Sequence, residues 1–319
     1  MPNQPSFSPA LRDLSAPIRP LGRALDAGVL LSAWLPRGKG AVVRGLGKRL
    51  VRPDSRYMMT RHGAKLVISP DSLDVYTTMR AHGNAWDYAD FEVCRNSTPE
   101  GGVFYDIGAN VGYFCIEMAQ VSNGRTFVVG IEPQAGLAHA IARSARLNGF
   151  NRVMVLNALA GETTGMADFY LAPATIHSSA VADSHRPHHT KIQMQMVSID
   201  DLAAKGAIMP PDFVKMDVEG SEHVVFLGAA RVLRQAKPNI YLEYHVRDDV
   251  GGRIKDEIAS LTNDAGCYDL YGSPTVDRRR LYQQRLVRMS WQDDLSSYDA
   301  IYLRNRERAV PDAAMFAST

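Results

Sequence analysis

The sequence predicts an α/β protein whose sheet is doubly wound and mostly parallel, with helices on both faces. Two observations carry this. From Val103 onward, short apolar runs alternate with stretches of helical periodicity, the rhythm of repeated strand–helix units. The apolar runs are hydrophobic at successive positions, as strands are when helices cover both faces of a parallel sheet. With 319 residues, 45% of them hydrophobic and 22% charged, the chain has the makeup of an ordinary globular protein and enough apolar surface for a large core.

The predicted strands are VFYDIG (103–108), TFVVGIEP (126–133), RVMVLNALA (152–160), DFVKMDV (212–218) and NIYLEYH (239–245). Helical patterns fall between them in GYFCIEMAQVS, QAGLAHAIARSARLNG, VSIDDLAAKG and SEHVVFLGAARVLRQAK. ADFYLAP (167–173) reads as an added strand or hairpin, and CYDLYG with YDAIYLRNR as a closing antiparallel pair. Ahead of the alternating region lie two short strands, RYMMT and KLVIS, a helix through SLDVYTTMRAHG that stops at a glycine, and a second helical pattern in WDYADFEVCRN. The expected organisation is a basic N-terminal extension (1–56), a lead-in module packed on the core (57–100), the main domain (101–310) and a short tail (311–319).

Charge is unevenly spread. Residues 1–56 hold ten Lys or Arg against three Asp, a net +7, so the net +2 of the whole chain leaves −5 for the remainder. RGKGAVVRGLGKRLVR (37–52) mixes basic and apolar residues. It reads as a solvated helix packed on the main domain, since its glycines weaken a long amphipathic helix, with peripheral contact to an anionic membrane as the other option. No nucleic-acid partner is expected. The longest apolar run near the start, AGVLLSAWLP, is too short to span a bilayer, and the first residues lack the pattern of a signal peptide. Cys94, Cys115 and Cys267 have no CxxC spacing. A cytoplasmic, reducing location is the expectation.

The chemistry concentrates at Tyr105–Phe114, YDIGANVGYF, where the first strand of the alternating region turns into a helix. In open α/β sheets the ligand lies beyond the carboxyl ends of the strands, and this turn holds part of it. The spacing D-x-G-x-N-x-G differs from the G-x-G-x-x-G of dinucleotide sites. Glu132 follows 26 residues after Asp106, at the end of the second strand, where an acid accepts hydrogen bonds from both hydroxyls of a ribose. A ligand with a ribose, a cationic centre and an amino-acid tail suits this set: Glu132 for the ribose, Asp106 for the ammonium, Gly108 and Gly112 for close backbone approach to the tail. S-adenosylmethionine is such a ligand.

For methyl transfer to a hydroxyl a base is needed as well as alignment. Asp217 ends the apolar strand FVKM, and Glu219 and Glu222 follow as the chain turns through Gly220 into a helix. Crowded carboxylates raise at least one pKa, which favours a base near neutral pH; stabilisation of the helix N-terminus is the competing role, chiefly for Glu222. Glu243 and His245 end the next strand on one face. Asp217, His245 and Glu219 are the catalytic candidates. A divalent cation on Asp217 and Glu219 is a further option, but no metal site is assigned. HRPHH (185–189) reads as a polar loop covering the acceptor rather than a metal motif, and DRRR (277–280) as a solvated loop.

The combination YDIGANVGYF, GIEP, DFVKMDVEGSEHVVFLGA and PNIYLEYH resembles the FkbM family of S-adenosylmethionine-dependent methyltransferases over roughly residues 70–305. KMDVEGSE (215–222), with its D-V-E-G-x-E core, is the most specific element. ALAGETTGMADFYLAP is similar to the family's stretch after the third strand. TIHSSAV (175–181) stands where the family has a Ser-rich segment, with His177 in place of the usual Asn or Gly. The resemblance implies the class I Rossmann-like methyltransferase fold with a seven-stranded sheet. It implies a cofactor site lined by Asp106, Gly108, Asn110, Gly112 and Glu132, and a hydroxyl acceptor on a sugar or other small natural product. Two other classes stay open: a non-catalytic nucleoside-binding or membrane-surface protein of the same fold, and an NAD-dependent oxidoreductase, which the missing third glycine disfavours.

Overall fold

The computed structural model describes residues 19–20, 56–69, 87–171, 190–244, 266–274 and 286–308, with single residues or pairs between 72 and 79 and between 255 and 260. Ahead of the main domain lie β1 (Arg19–Pro20), β2 (Arg56–Met59), β3 (Lys65–Val67) and α1 (Tyr88–Ser97). The first half of the main domain runs β4 (Val103–Ile107), α2 (Tyr113–Val121), β5 (Phe127–Ile131), α3 (Ala135–Leu147) and β6 (Val153–Leu156). A small insertion follows, of β7 (Leu159–Ala160), β8 (Gly165–Leu171) and β9 (Thr190–Val197). The second half is α4 (Ile199–Ala204), β10 (Phe213–Met216), α5 (Glu222–Ala236), β11 (Asn239–Glu243), β12 (Tyr268–Pro274), β13 (Val287–Arg288) and β14 (Tyr298–Asn305).

The main sheet is ordered β13-β12-β14-β11-β10-β4-β5-β6. Strands β6, β5, β4, β10 and β11 are parallel, and β14 runs antiparallel to both β11 and β12. These are the seven strands expected, and the two-residue β13 adds an eighth at the edge. The strand order reverses between β4 and β10, so a crevice opens beyond the carboxyl ends of those two strands.

Alternation along each strand divides the core. Phe104, Phe213, Tyr241 and Tyr302 face α1, α2 and α3, with the Phe104 and Phe213 rings stacked 5.6 Å apart. Tyr105, Val214, Leu242 and Leu303 face the other way, toward α5, whose Val225, Phe226, Ala229, Val232 and Leu233 recur at helical spacing. At about 25 cal/mol per Å² of apolar area removed from water, burial of such large side chains on both faces is the main stabilising term.

The lead-in hairpin β2–β3 is tied to the main domain by polar contacts. Ser144 and Asn148 of α3 accept hydrogen bonds from the Val67 and Lys65 amides, each at 2.8 Å. Thr60 and His62 both bond the carboxylate of Glu117, a fully buried acid of α2. One expectation is corrected here. RVMVLNALA does not form a single strand but breaks after Leu156, because Asn157 donates its side-chain amide to the Glu132 and Pro133 carbonyls at 3.0 and 2.7 Å. The chain then leaves the main sheet, and β7 joins β9 and β8 in a separate three-stranded sheet.

No helix among the described residues is long and apolar enough to cross a membrane. The basic stretch 37–52, His177, the HRPHH loop, DRRR and His245 lie outside the described residues.

Candidate active site

The tips of β4, β5 and β10 meet at the reversal in strand order. After Ile107 the chain turns back on β5, with the Gly108 and Ala109 amides donating to the Ile131 carbonyl at 2.9 and 3.1 Å. Gly108 has φ +80°, and a Cβ there would lie 1.8 Å from the Asp217 carbonyl oxygen. Gly112 has φ +78°, and its Cβ would meet Ile141 of α3 at 2.5 Å. Glycine is required at both, and within the protein the close neighbours are the β10 tip and α3.

Glu132 stands at the tip of β5, 3% exposed. Its Oε2 accepts from the Asn110 amide and its Oε1 from the Gln134 amide, both at 2.8 Å. Burial pushes its pKa up to about 8 against the pull of those two amides. Each oxygen keeps a further acceptor site. Beside it opens a cleft walled by Gly108, Asn110, Glu132, Pro133, Leu159 and Phe169 among others, together with Asp217 and Glu219.

A second cavity shares Asn110, Asp217 and Glu219 with the first. Asp87, Tyr113, Phe114, Lys215 and Glu243 complete much of its wall. Asp87, Asn110 and Glu219 all have left-handed backbones, with φ of 41°, 50° and 52°. Such conformations are uncommon outside glycine, rarer for Glu than for Asp or Asn, and gather at functional sites. The Asn110 Oδ1 is buried without a hydrogen-bond partner among the described residues, a polar atom open to a ligand.

Asp106 does not line either cavity. It is 1% exposed on β4, where Cys115 donates its thiol to Oδ2 at 3.2 Å and the Lys215 ammonium stands 3.8 Å from Oδ1. The register pairs Asp106 with Lys215 and Lys215 with Tyr241 across adjacent strands. Lys215 lies 3.3 Å from Asp217 and 3.8 Å from Glu243. Desolvation opposes its charge, but Asp217, Asp106 and Glu243 together hold its pKa well above the ordinary value. Sequence reasoning gave Lys215 no role. A lysine inside an apolar strand was the available signal, since such a residue is almost never buried unpaired.

The expected crowding of Asp217, Glu219 and Glu222 is only partly realised. Asp217 and Glu219 line both cavities. Glu222 is fully buried as the first residue of α5 and accepts the Gly220 amide at 3.0 Å, the geometry of a helix-end stabiliser. No group of three or more His, Cys, Asp or Glu among the described residues is arranged to hold a metal ion. Cys94, Cys115 and Cys267 are free and buried.

Residues 106–267, just over half of the chain and running from the end of β4 past β11, match the Methyltransferase FkbM domain. This chain belongs to the FkbM methyltransferase family. The reversal between β4 and β10 and the antiparallel β14 are accordingly those of the Rossmann-like methyltransferase fold. Among solved structures, the chain is similar to Methyltransferase FkbM from Methylobacillus flagellatus KT, with 17% identity, a TM-score of 0.43, and 75% of this chain and 56% of that one covered. It thus spans little more than half the length of that FkbM protein. It is also similar to M. jannaschii TYW2 in complex with AdoMet (14% identity, TM-score 0.39, 79% and 86% covered) and to a SAM dependent methyltransferase from Aquifex aeolicus (12%, 0.34, 67% and 88%). No curated protein matches.

Proposed function

We propose that this FkbM-family chain is an S-adenosylmethionine-dependent O-methyltransferase acting on a hydroxyl of a saccharide or other small natural product. The observation that carries the reading is the pair of adjoining cavities at the switch point, one holding Glu132 and the other a wall of carboxylates, joined through Asn110, Asp217 and Glu219. The residues present fit the cofactor. Glu132 has acceptor sites free for a ribose diol, and the buried Asn110 Oδ1 lacks a partner among the described residues, which a ligand donor would supply. When bound, the cofactor supplies a methyl group already activated on a sulfonium.

The protein's own task is to bring a hydroxyl into line and receive its proton. Asp217 borders both cavities, which suits it to accept that proton, and Glu219 is the alternative on the same turn. His245, the other candidate, lies outside the described residues. A positioned base typically contributes 10²–10⁴-fold. The test is release of S-adenosylhomocysteine from S-adenosylmethionine in the presence of a saccharide panel. Asp217→Asn is expected to lower turnover by about 10²–10⁴-fold while S-adenosylhomocysteine affinity changes by less than about threefold. Binding of NAD in place of S-adenosylhomocysteine would reject the reading.

A further inference from the structure

The insertion β7–β9 brings apolar side chains to the cleft beside Glu132. The chain leaves the main sheet at Asn157, whose side-chain amide is fixed to the Glu132 and Pro133 carbonyls, and the residues that follow, Ala158, Leu159 and Ala160, line that cleft. Phe169 of β8 joins them there. Its ring is the only aromatic one in the cleft among the described residues. Phe169 is 2% exposed, yet it belongs to neither of the two core layers that pack on the main sheet, and the same holds for Leu159. Strand β8 is paired with β9 along its whole length, Gly165 to Leu171, so a sheet and not a loop sets the position of the ring.

A ribose held at Glu132 carries its base on C1′ and, through C4′ on the opposite side of the sugar ring, the arm with the sulfonium. Asn110, Asp217 and Glu219 border both cavities, whereas Ala158, Leu159, Ala160 and Phe169 border the first alone. An arm directed toward the second cavity therefore leaves the base at the end of the cleft that the insertion walls. A purine presents two flat π faces, and an aromatic side chain takes one of them by stacking. Resting on the reading above that this cleft takes the cofactor, we propose that Phe169 is the stacking partner of the nucleoside base, which makes the three-stranded insertion part of the cofactor site and selects a purine nucleoside over the same sugar and tail without a base.

The test uses the full chain, titrated calorimetrically with S-adenosylhomocysteine and with S-ribosylhomocysteine, which keeps the ribose and the tail and lacks the base. Phe169→Leu retains an apolar side chain and removes the ring. It is expected to weaken S-adenosylhomocysteine about 5- to 150-fold, the range of base–aromatic stacking, and to leave S-ribosylhomocysteine within about twofold. In Phe169→Trp, saturation with S-adenosylhomocysteine should quench the added indole emission, over and above any change from the chain's own three Trp. That emission decides alone if Phe169→Leu does not fold or the base-free ligand binds too weakly to titrate. Equal weakening of both ligands, a loss of less than about fivefold for S-adenosylhomocysteine, or no quenching overturns the inference. Failure of S-adenosylhomocysteine to bind the wild type would instead overturn the functional reading beneath it.

Discussion

Lys215→Met is the most informative perturbation of the scaffold. It removes the only ammonium within 4 Å of Asp106, Asp217 and Glu243 among the described residues, at 3.8, 3.3 and 3.8 Å. At an effective dielectric of about 20 each pair is worth roughly 4–5 kcal/mol of gross attraction, most of it offset by the desolvation of the charges themselves. Net, breaking a buried pair by removing one partner costs about 3–5 kcal/mol. For a domain of this size that corresponds to a fall in Tm of roughly 6–20 °C. Urea denaturation followed by far-ultraviolet circular dichroism measures the loss directly. The mechanism makes a further demand: Asp106→Asn added to Lys215→Met removes one uncompensated charge, so the double variant should be more stable than the sum of the singles, by about 1–2 kcal/mol. A Lys215→Met protein within about 1 kcal/mol of wild type, or strict additivity in the double, would refute the assignment of Lys215 as counter-ion.

Other expectations follow from local geometry. Gly108→Ala places a Cβ 1.8 Å from the Asp217 carbonyl at φ +80° and should cost about 3 kcal/mol and at least tenfold in S-adenosylhomocysteine affinity. Gly101→Ala, at φ +72° with nothing within 4 Å, should cost only about 1 kcal/mol and leave affinity intact, as read by denaturation and calorimetry. Gly228→Ala drives a Cβ to 1.9 Å from the Gly161 carbonyl where α5 meets the loop after β7, and chemical denaturation should show a loss of about 1–3 kcal/mol. The Glu132 carboxyl is raised to about 8, so the ligand-free fold gains stability from it that is complete below its unfolded value and lost as pH rises through about 8. A ribose diol donates to the ionised form, so S-adenosylhomocysteine affinity should climb with pH and level off above about 8, and Glu132→Gln should flatten both profiles.

Much of the fold was legible because it is written in local patterns. The parallel strands announce themselves as apolar runs, and the amphipathic spacing of Val225, Phe226, Ala229, Val232 and Leu233 declares one helix face. The place of Glu132 was legible because it depends only on ending the second strand. What escaped depends on register. That Asp106, Lys215 and Tyr241 stand side by side is a fact about three strands far apart in sequence, and it turns the acid of YDIGANVGYF inward onto a lysine. The break in RVMVLNALA was equally hidden, since an asparagine bonding two carbonyls just beyond the end of β5 leaves the hydrophobic period unchanged. Glu222 could not be separated from Asp217 and Glu219 until the left-handed turn at Glu219 and Gly220 was seen to direct it back onto the Gly220 amide.

The central claim is that Glu132 holds the ribose of a sulfonium nucleoside beside the β4 turn. Calorimetric titration of S-adenosylhomocysteine into wild type and Glu132→Ala tests it most directly. The account predicts saturable one-to-one binding to wild type, weakened about 10- to 150-fold in the variant, the equivalent of roughly 1.5–3 kcal/mol for hydrogen bonds to a charged group. A folded variant that binds as tightly as wild type, or a wild-type protein that gives no binding heat, would contradict it.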